Sequence, residues 1–229
     1  MRTEPLLGVL QLADGLFPAG AYAHSFGLET LVQDGVVTDA TGVRAFLRTL
    51  IEGGVGTCDA IAVARAVRAA REPTLETAFA LDEEVDALKP ASELREASRQ
   101  MGRQTLRAAA RLHQDAAVSR LFAAVETGRT AGHHPLAFGF AAEAAGVAPR
   151  EAAAAYLYST AAAVAGASLR LLPLGQLDGQ AILASLRPAI ARLAERAASA
   201  GPDGLHAFTP AIEIAAMRHA RLEARLFRS

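Results

Sequence analysis

Between Pro149 and Pro173 the chain reads Pro-Arg-Glu-Ala-Ala-Ala-Ala-Tyr-Leu-Tyr-Ser-Thr-Ala-Ala-Ala-Val-Ala-Gly-Ala-Ser-Leu-Arg-Leu-Leu-Pro. Almost no polar side chain interrupts it on any helical face. Pro149 suits a first helical position, Glu151 faces the positive end of the helix dipole, and Pro173 cannot continue the helix. A helix without a polar stripe is buried on every side, in a core or in a membrane. The stretch is just long enough to span a bilayer. Alanine brings little transfer energy, however, and Glu151 and Arg170 sit near the ends. The reading is therefore a core helix over about 149–172, whose alanine surface lets several neighbours approach closely.

The remaining sequence extends that pattern. Apolar residues recur at helical spacing almost throughout, and strand signals are scarce. Helices are predicted over about 5–13, from Ser25 to Asp34, and over 41–51 and 59–71. Further helices follow to Lys89 from a Thr74 cap, to Leu112 from a Ser92 cap, and to Glu126 from an Asp115 cap. After these come 136–145, the central helix, a helix to about Ala200 kinked at Pro188, and a last helix opened by Thr209-Pro210. Loops fall at Asp14–His24, where Gly15, Pro18 and Gly20 break the pattern, and at Gly128–Pro135. The expected fold class is all-α, a single-domain multi-helix bundle around the 149–172 helix.

Composition narrows the chemistry. Of 229 residues, 52% are hydrophobic and none is Trp, so the core is made of Ala, Leu and Val. The formal net charge of −1 gives no global attraction to nucleic acid or to anionic membranes. Cys58 stands alone, which excludes an internal disulfide, and no neighbour activates it, so it reads as a buried structural thiol. The N-terminus lacks the basic and apolar regions of a signal peptide, and the expected location is cytoplasmic.

His133-His134-Pro135 lacks a nearby Cys or carboxylate and adjacent side chains diverge; a structural role at a helix start is favoured over metal ligation. His24-Ser25 has no evident acid partner and no Gly-x-Ser-x-Gly context. Asp82-Glu83-Glu84 with Asp86 reads as a solvated helix face. Gly53-Gly54-Val-Gly56 matches no nucleotide fingerprint. Arg95, Arg99, Arg103, Arg107 and Arg111, each four residues after the last, form a winding stripe. It is either a hydrated face paired with neighbouring acids or a docking strip for an acidic protein. The C-terminal Leu226 and Phe227 either fold back or await a partner.

Several separated segments carry a family resemblance: Leu10-Gln-Leu-Ala-Asp-Gly-Leu-Phe-Pro-Ala-Gly-Ala-Tyr-Ala-His-Ser-Phe-Gly-Leu-Glu29, Glu93-Leu-Arg-Glu-Ala-Ser-Arg-Gln-Met-Gly102, Gly132-His-His-Pro-Leu-Ala-Phe-Gly139, Tyr156-Leu-Tyr-Ser159 with Leu172-Pro-Leu-Gly-Gln-Leu-Asp-Gly-Gln180, and Met217-Arg-His with Arg225-Leu-Phe-Arg-Ser229. In this order they resemble the urease accessory proteins of the UreF family. The resemblance implies an all-α homodimer without catalytic activity of its own; no cofactor or resident metal site is expected, and direct nickel binding through His133 or His134 stays open. The dimer would bridge the accessory proteins UreD (also called UreH) and UreG, a nickel-carrying GTPase, so that nickel reaches apo-urease; neither nucleic acid nor membrane would be a partner. It further implies a partner-binding surface made by the loop region Phe17, Pro18, Tyr22, His24, Ser25 and Glu29 and by the tail Met217, Arg218, His219, Arg225, Leu226 and Phe227. Arg225, with its five-donor fork, and Tyr22 are expected to pin the tail together. Two alternatives stay open: stimulation of the GTPase by a donated Arg, and a helical DNA-binding regulator using the Arg95–Arg111 stripe.

Overall fold

A computed structural model describes residues 2–228. Among them are eleven α-helices and no strand: α1 Thr3–Ala13, α2 Leu28–Gln33, α3 Ala40–Leu50, α4 Asp59–Ala69, α5 Glu76–Ala87, α6 Ser92–His113, α7 Ala116–Glu126, α8 His134–Ala144, α9 Pro149–Leu171, α10 Gln176–Ser199 and α11 Pro210–His219. A wide π-helical turn, Ile51–Val55, joins α3 towards α4. The expected all-α class and central helix are both found. Helix α9 packs against α1, α2, α3, α4, α8 and α10.

Burial is distributed differently from the expectation. Helices α4 and α8 are the most enclosed: in α8 each residue from His134 to Ala142 is buried, and in α4 all but Arg65 and Arg68 are. One face of α9 stays open through Tyr158 and Gly166, and only 56% of its most apolar window is buried. Alanine is tolerated both in a core and beside water, so its abundance could not say which face is covered.

The helix starts also separate into two kinds. Asp39 caps α3 through Gly42 N at 2.9 Å, and Asp115 caps α7 through Ala117 N and Val118 N at 2.8 and 2.9 Å. Thr74 and Ser92 do not cap: α5 begins after Leu75, and Ser92 is already the first residue of α6. Thr209 precedes Pro210 as expected, but its hydroxyl donates to the Glu213 carboxylate at 3.3 Å. Helix α10 is continuous through Pro188.

Close crossings fix the arrangement. At Gly102 in α6 a Cβ would collide with the Gly132 carbonyl oxygen and lie 2.8 Å from the His133 carbonyl carbon and 2.9 Å from His134 N. The α6 backbone thus rests directly on the entry to α8. Asp82 and Ser98 complete that joint. Asp82 accepts from Thr130 Oγ1, Gly132 N and His133 N at 2.6, 2.7 and 2.9 Å, and Ser98 Oγ accepts from His134 N at 3.2 Å. The acidic run on α5 is therefore not simply a solvated face, because Asp82 is buried and ties down a loop 50 residues away. Gly102→Ala is expected to destabilise the protein by about 3 kcal/mol or more, since the atoms it meets are backbone and cannot rotate away. A urea titration that leaves the midpoint unchanged would contradict this.

Candidate functional site: a docked C-terminal tail

The tail after α11 folds back onto α2, α6, α9 and the Asp14–His24 loop. Gly27 makes this approach possible. It takes φ +84°, and a Cβ there would lie 3.0 Å from Ala216 N and 3.1 Å from Ile212 O on α11. A left-handed glycine with no side chain lets α2 start against the α11 backbone. Two residues later, Glu29 points into the junction.

Glu29 is 1% exposed and every bond it makes at its carboxylate serves the tail. Oε1 accepts from Leu226 N at 2.7 Å; Oε2 accepts from Phe227 N at 3.1 Å and faces His219 Nε2 at 2.9 Å. The other imidazole nitrogen, Nδ1, lies 2.9 Å from Glu93 Oε2, and Arg225 Nη1 donates to Glu93 Oε1 at 3.1 Å. Two carboxylates thus share one imidazole, one at each ring nitrogen.

The remaining stitches are peripheral. Arg228 N donates to Ala23 O at 2.8 Å, and Gln33 Nε2 to Ala224 O at 3.0 Å. Arg218 makes a bidentate pair with Asp34 at 2.8 and 3.1 Å. Arg170 donates to Tyr22 O at 2.7 Å, with its guanidinium carbon 4.1 Å from the centre of the Phe227 ring. Phe227 is buried, so the large apolar residue at the chain's end folds back.

The residues singled out from sequence divide into two sets. His24, Ser25, Glu29, His219 and Phe227 are buried and form the frame. Pro18, Tyr22, Met217, Arg218, Arg225 and Leu226 face outward, and Phe17 is half-buried. The expected Arg225–Tyr22 clasp is absent among the described residues: Arg225 reaches Glu93, while Tyr22 offers its backbone carbonyl to Arg170 and leaves its side chain 70% exposed. Glu93 and Arg170, which also hold the tail, are the functional residues that sequence reasoning missed. Nothing local marks them, since an acidic first turn and a basic last turn are ordinary in helices. Ser229 lies outside the described residues.

His133 and His134 are buried in the α6–α8 joint. His133 Nε2 lies 2.8 Å from Asp86 Oδ1 and Nδ1 lies 3.0 Å from Ser98 Oγ. The order resembles a hydrolytic triad, but Ser98 is buried in the α6–α8 joint and its oxygen accepts from His134 N. The sequence placed no carboxylate near this His pair, whereas folding brings Asp86 from α5. Neither side chain caps α8. Burial, against the opposing hydrogen bond to Asp86, holds His133 below the ordinary imidazole range. Burial also pushes the Cys58 thiol up to about 12, with Asp59 adding to it, which suits a structural role. Among the described residues no group of three or more His, Cys, Asp or Glu could hold a metal ion.

What these elements define is an all-helical protein whose candidate site is a surface organised by its own tail. The family model for UreF matches residues 37–187. The chain is 34% identical over 227 residues to the urease accessory protein UreF of Arthrobacter sp. (strain FB24), covering 97% of this chain and 96% of that one. It is 37% identical to the protein of the same name from Cereibacter sphaeroides (strain ATCC 17029 / ATH 2.4.9), covering 98% of each. With that from Rhizobium leguminosarum bv. viciae it is 36% identical, covering 100% of this chain and 99% of the other. The chain belongs to the UreF family of urease accessory proteins.

Glu29→Ala would leave two tail amides and a buried imidazole nitrogen without their acceptor. The expected loss is roughly 3–5 kcal/mol, with the tail becoming cleavable by carboxypeptidase before the body unfolds. A tail as resistant as the parent's would contradict this. A second expectation concerns acid. Burial, reinforced by Arg228, lowers His24 to about 4, and burial with Lys89 lowers His134 to about 3. Both are neutral when folded, whereas the unfolded chain binds protons below the ordinary value of 6.5. Their contribution is therefore complete above pH 6.5 and is lost as pH falls towards 4. His134→Phe, which keeps a ring against Phe138 and Tyr156, should make the stability loss between pH 6.5 and 4 shallower in urea titrations.

Proposed function

We propose that this chain is a non-catalytic docking protein of urease maturation. As a cytoplasmic homodimer it bridges UreD (UreH) and the GTPase UreG, so that nickel, the cargo, is delivered to apo-urease. The observation that carries this reading is how the candidate site uses its polar groups. Glu29, His219, Glu93 and Arg225 are consumed in holding backbone and one another, while Tyr22 and Leu226, 70% and 69% exposed, are presented outward on that fixed frame. Rigid aromatic and apolar anchors on a pre-ordered base suit protein recognition, because little conformational freedom is lost on binding. Between them lies a cleft of about 600 Å³ lined by Pro18, Tyr22, Gln104, Arg170, Leu226 and Arg228 among others.

The family membership supports the urease context, and the buried frame supports a positioning role for the five enclosed residues. Pro18, Tyr22, Met217, Arg218 and Leu226 then form the contact set, with Arg225 shared between frame and surface and Phe17 at the edge. Tyr22→Ala combined with Leu226→Ala should change stability by only about 0.5 kcal/mol, since both side chains are exposed. The same pair should lower the ternary complex recovered by gel filtration from co-expressed accessory proteins by about tenfold or more. An undiminished complex refutes the contact role of these two residues.

A further inference from the structure

The arginine stripe on α6 is split by the fold. Arg95 donates to Lys89 O at 3.0 Å, Arg99 pairs with Asp86 at 2.5 Å, and Arg103 pairs with Glu126 at 3.3 Å. Arg107 and Arg111 make no hydrogen bond or ion pair within residues 2–228, and both are exposed. One turn apart on the same helix, they flank a groove of about 740 Å³ between α6 and the end of α1. Its apolar walls are Leu10, Leu16, Phe17, Pro18, Ala108 and Leu112. Leu16 is 93% exposed, Leu10 57% and Leu112 51%, and Leu7 on α1 adds 57% nearby in sequence. Large side chains left open this way, beside two unspent cations, mark an interaction surface better than a solvated face.

We infer that this groove receives an amphipathic helix from a urease-maturation partner. Its leucine-type side chains would lie between α1 and α6, and two of its carboxylates, three or four residues apart, would meet Arg107 and Arg111. The inference rests on the docking function proposed above and adds the chemistry of one partner segment. Charge selects the occupant. A second copy meeting this face about a two-fold axis would bring four guanidiniums together. Among the described residues the one carboxylate lining the groove, Asp14, already accepts from Leu16 N at 2.7 Å. The protein's own tail is held elsewhere by Glu29. A helix whose apolar face fills a groove while acids meet its basic rim satisfies both features at once. The groove also shares Pro18 and Gln104 with the cleft beside Tyr22 and Leu226, so one partner surface could run across both.

The test uses the full chain co-expressed with the urease structural and accessory proteins. A photo-crosslinking residue is placed by Leu16→p-benzoylphenylalanine, and crosslinked peptides are identified by mass spectrometry. The expected product joins position 16 to an acidic, leucine-bearing helical segment of another accessory protein. Arg107→Glu with Arg111→Glu should cut that crosslink and the recovered complex about tenfold and flatten the salt dependence of assembly. Lysines substituted for the partner's two acids should restore both. Crosslinking only to a second copy of this chain, no crosslink in an assembled complex, or charge reversal without effect overturns the groove assignment. In those cases a complex still weakened by Tyr22→Ala with Leu226→Ala leaves the docking function standing. If the parent chain assembles with no accessory protein, the docking function and the groove assignment fall together.

Discussion

Direct backbone approach at helix crossings is the constraint on which this structure depends. With a core rich in alanine, each side chain buries little area, and cohesion has to come from many atoms in contact at short range. Gly102 lets α6 rest on the backbone entering α8, and Gly27 lets α2 begin against α11. Both crossings position the site as well as the core. The first sets the helix that carries Glu93, and the second sets the helix that carries Glu29.

Buried charge then does what small side chains cannot. The tail has few apolar anchors, Phe227 being the buried one, and would fray without specific acceptors. Glu29 supplies acceptors for two consecutive tail amides and one face of His219, while Glu93 takes the other face together with Arg225. Elsewhere in the core Lys89 and Asp59 follow the same logic. Burial works against the Lys89 charge, but Asp59 at 2.7 Å, together with Cys58 and Glu213, offsets it and keeps that amine above its ordinary pKa. In each case polar groups fix one register of helices that alanine alone would allow to slide.

The fold divides the arginine stripe into two sets. The first three arginines hold α6 to the α5–α6 and α7 surroundings, and the last two remain open to the exterior. A four-residue spacing makes all five look equivalent along the chain. Their difference arises because the stripe winds round the helix, meeting α5 and α7 at one end and the α1 groove at the other.

The sequence by itself determined the helices, most of their limits, the loop at Asp14–His24 and the family to which the chain belongs. These follow from local causes: periodicity, proline and glycine placement, and runs of recognisable residues in order. Tertiary structure alone decided which side chains are frame and which are surface. Glu29 meets His219 from 190 positions away, and Asp82 holds a loop 50 positions on. A carboxylate in a helix carries no mark of the partner it will meet. That choice is made by how closely two backbones can approach, and it exists only once the helices have packed.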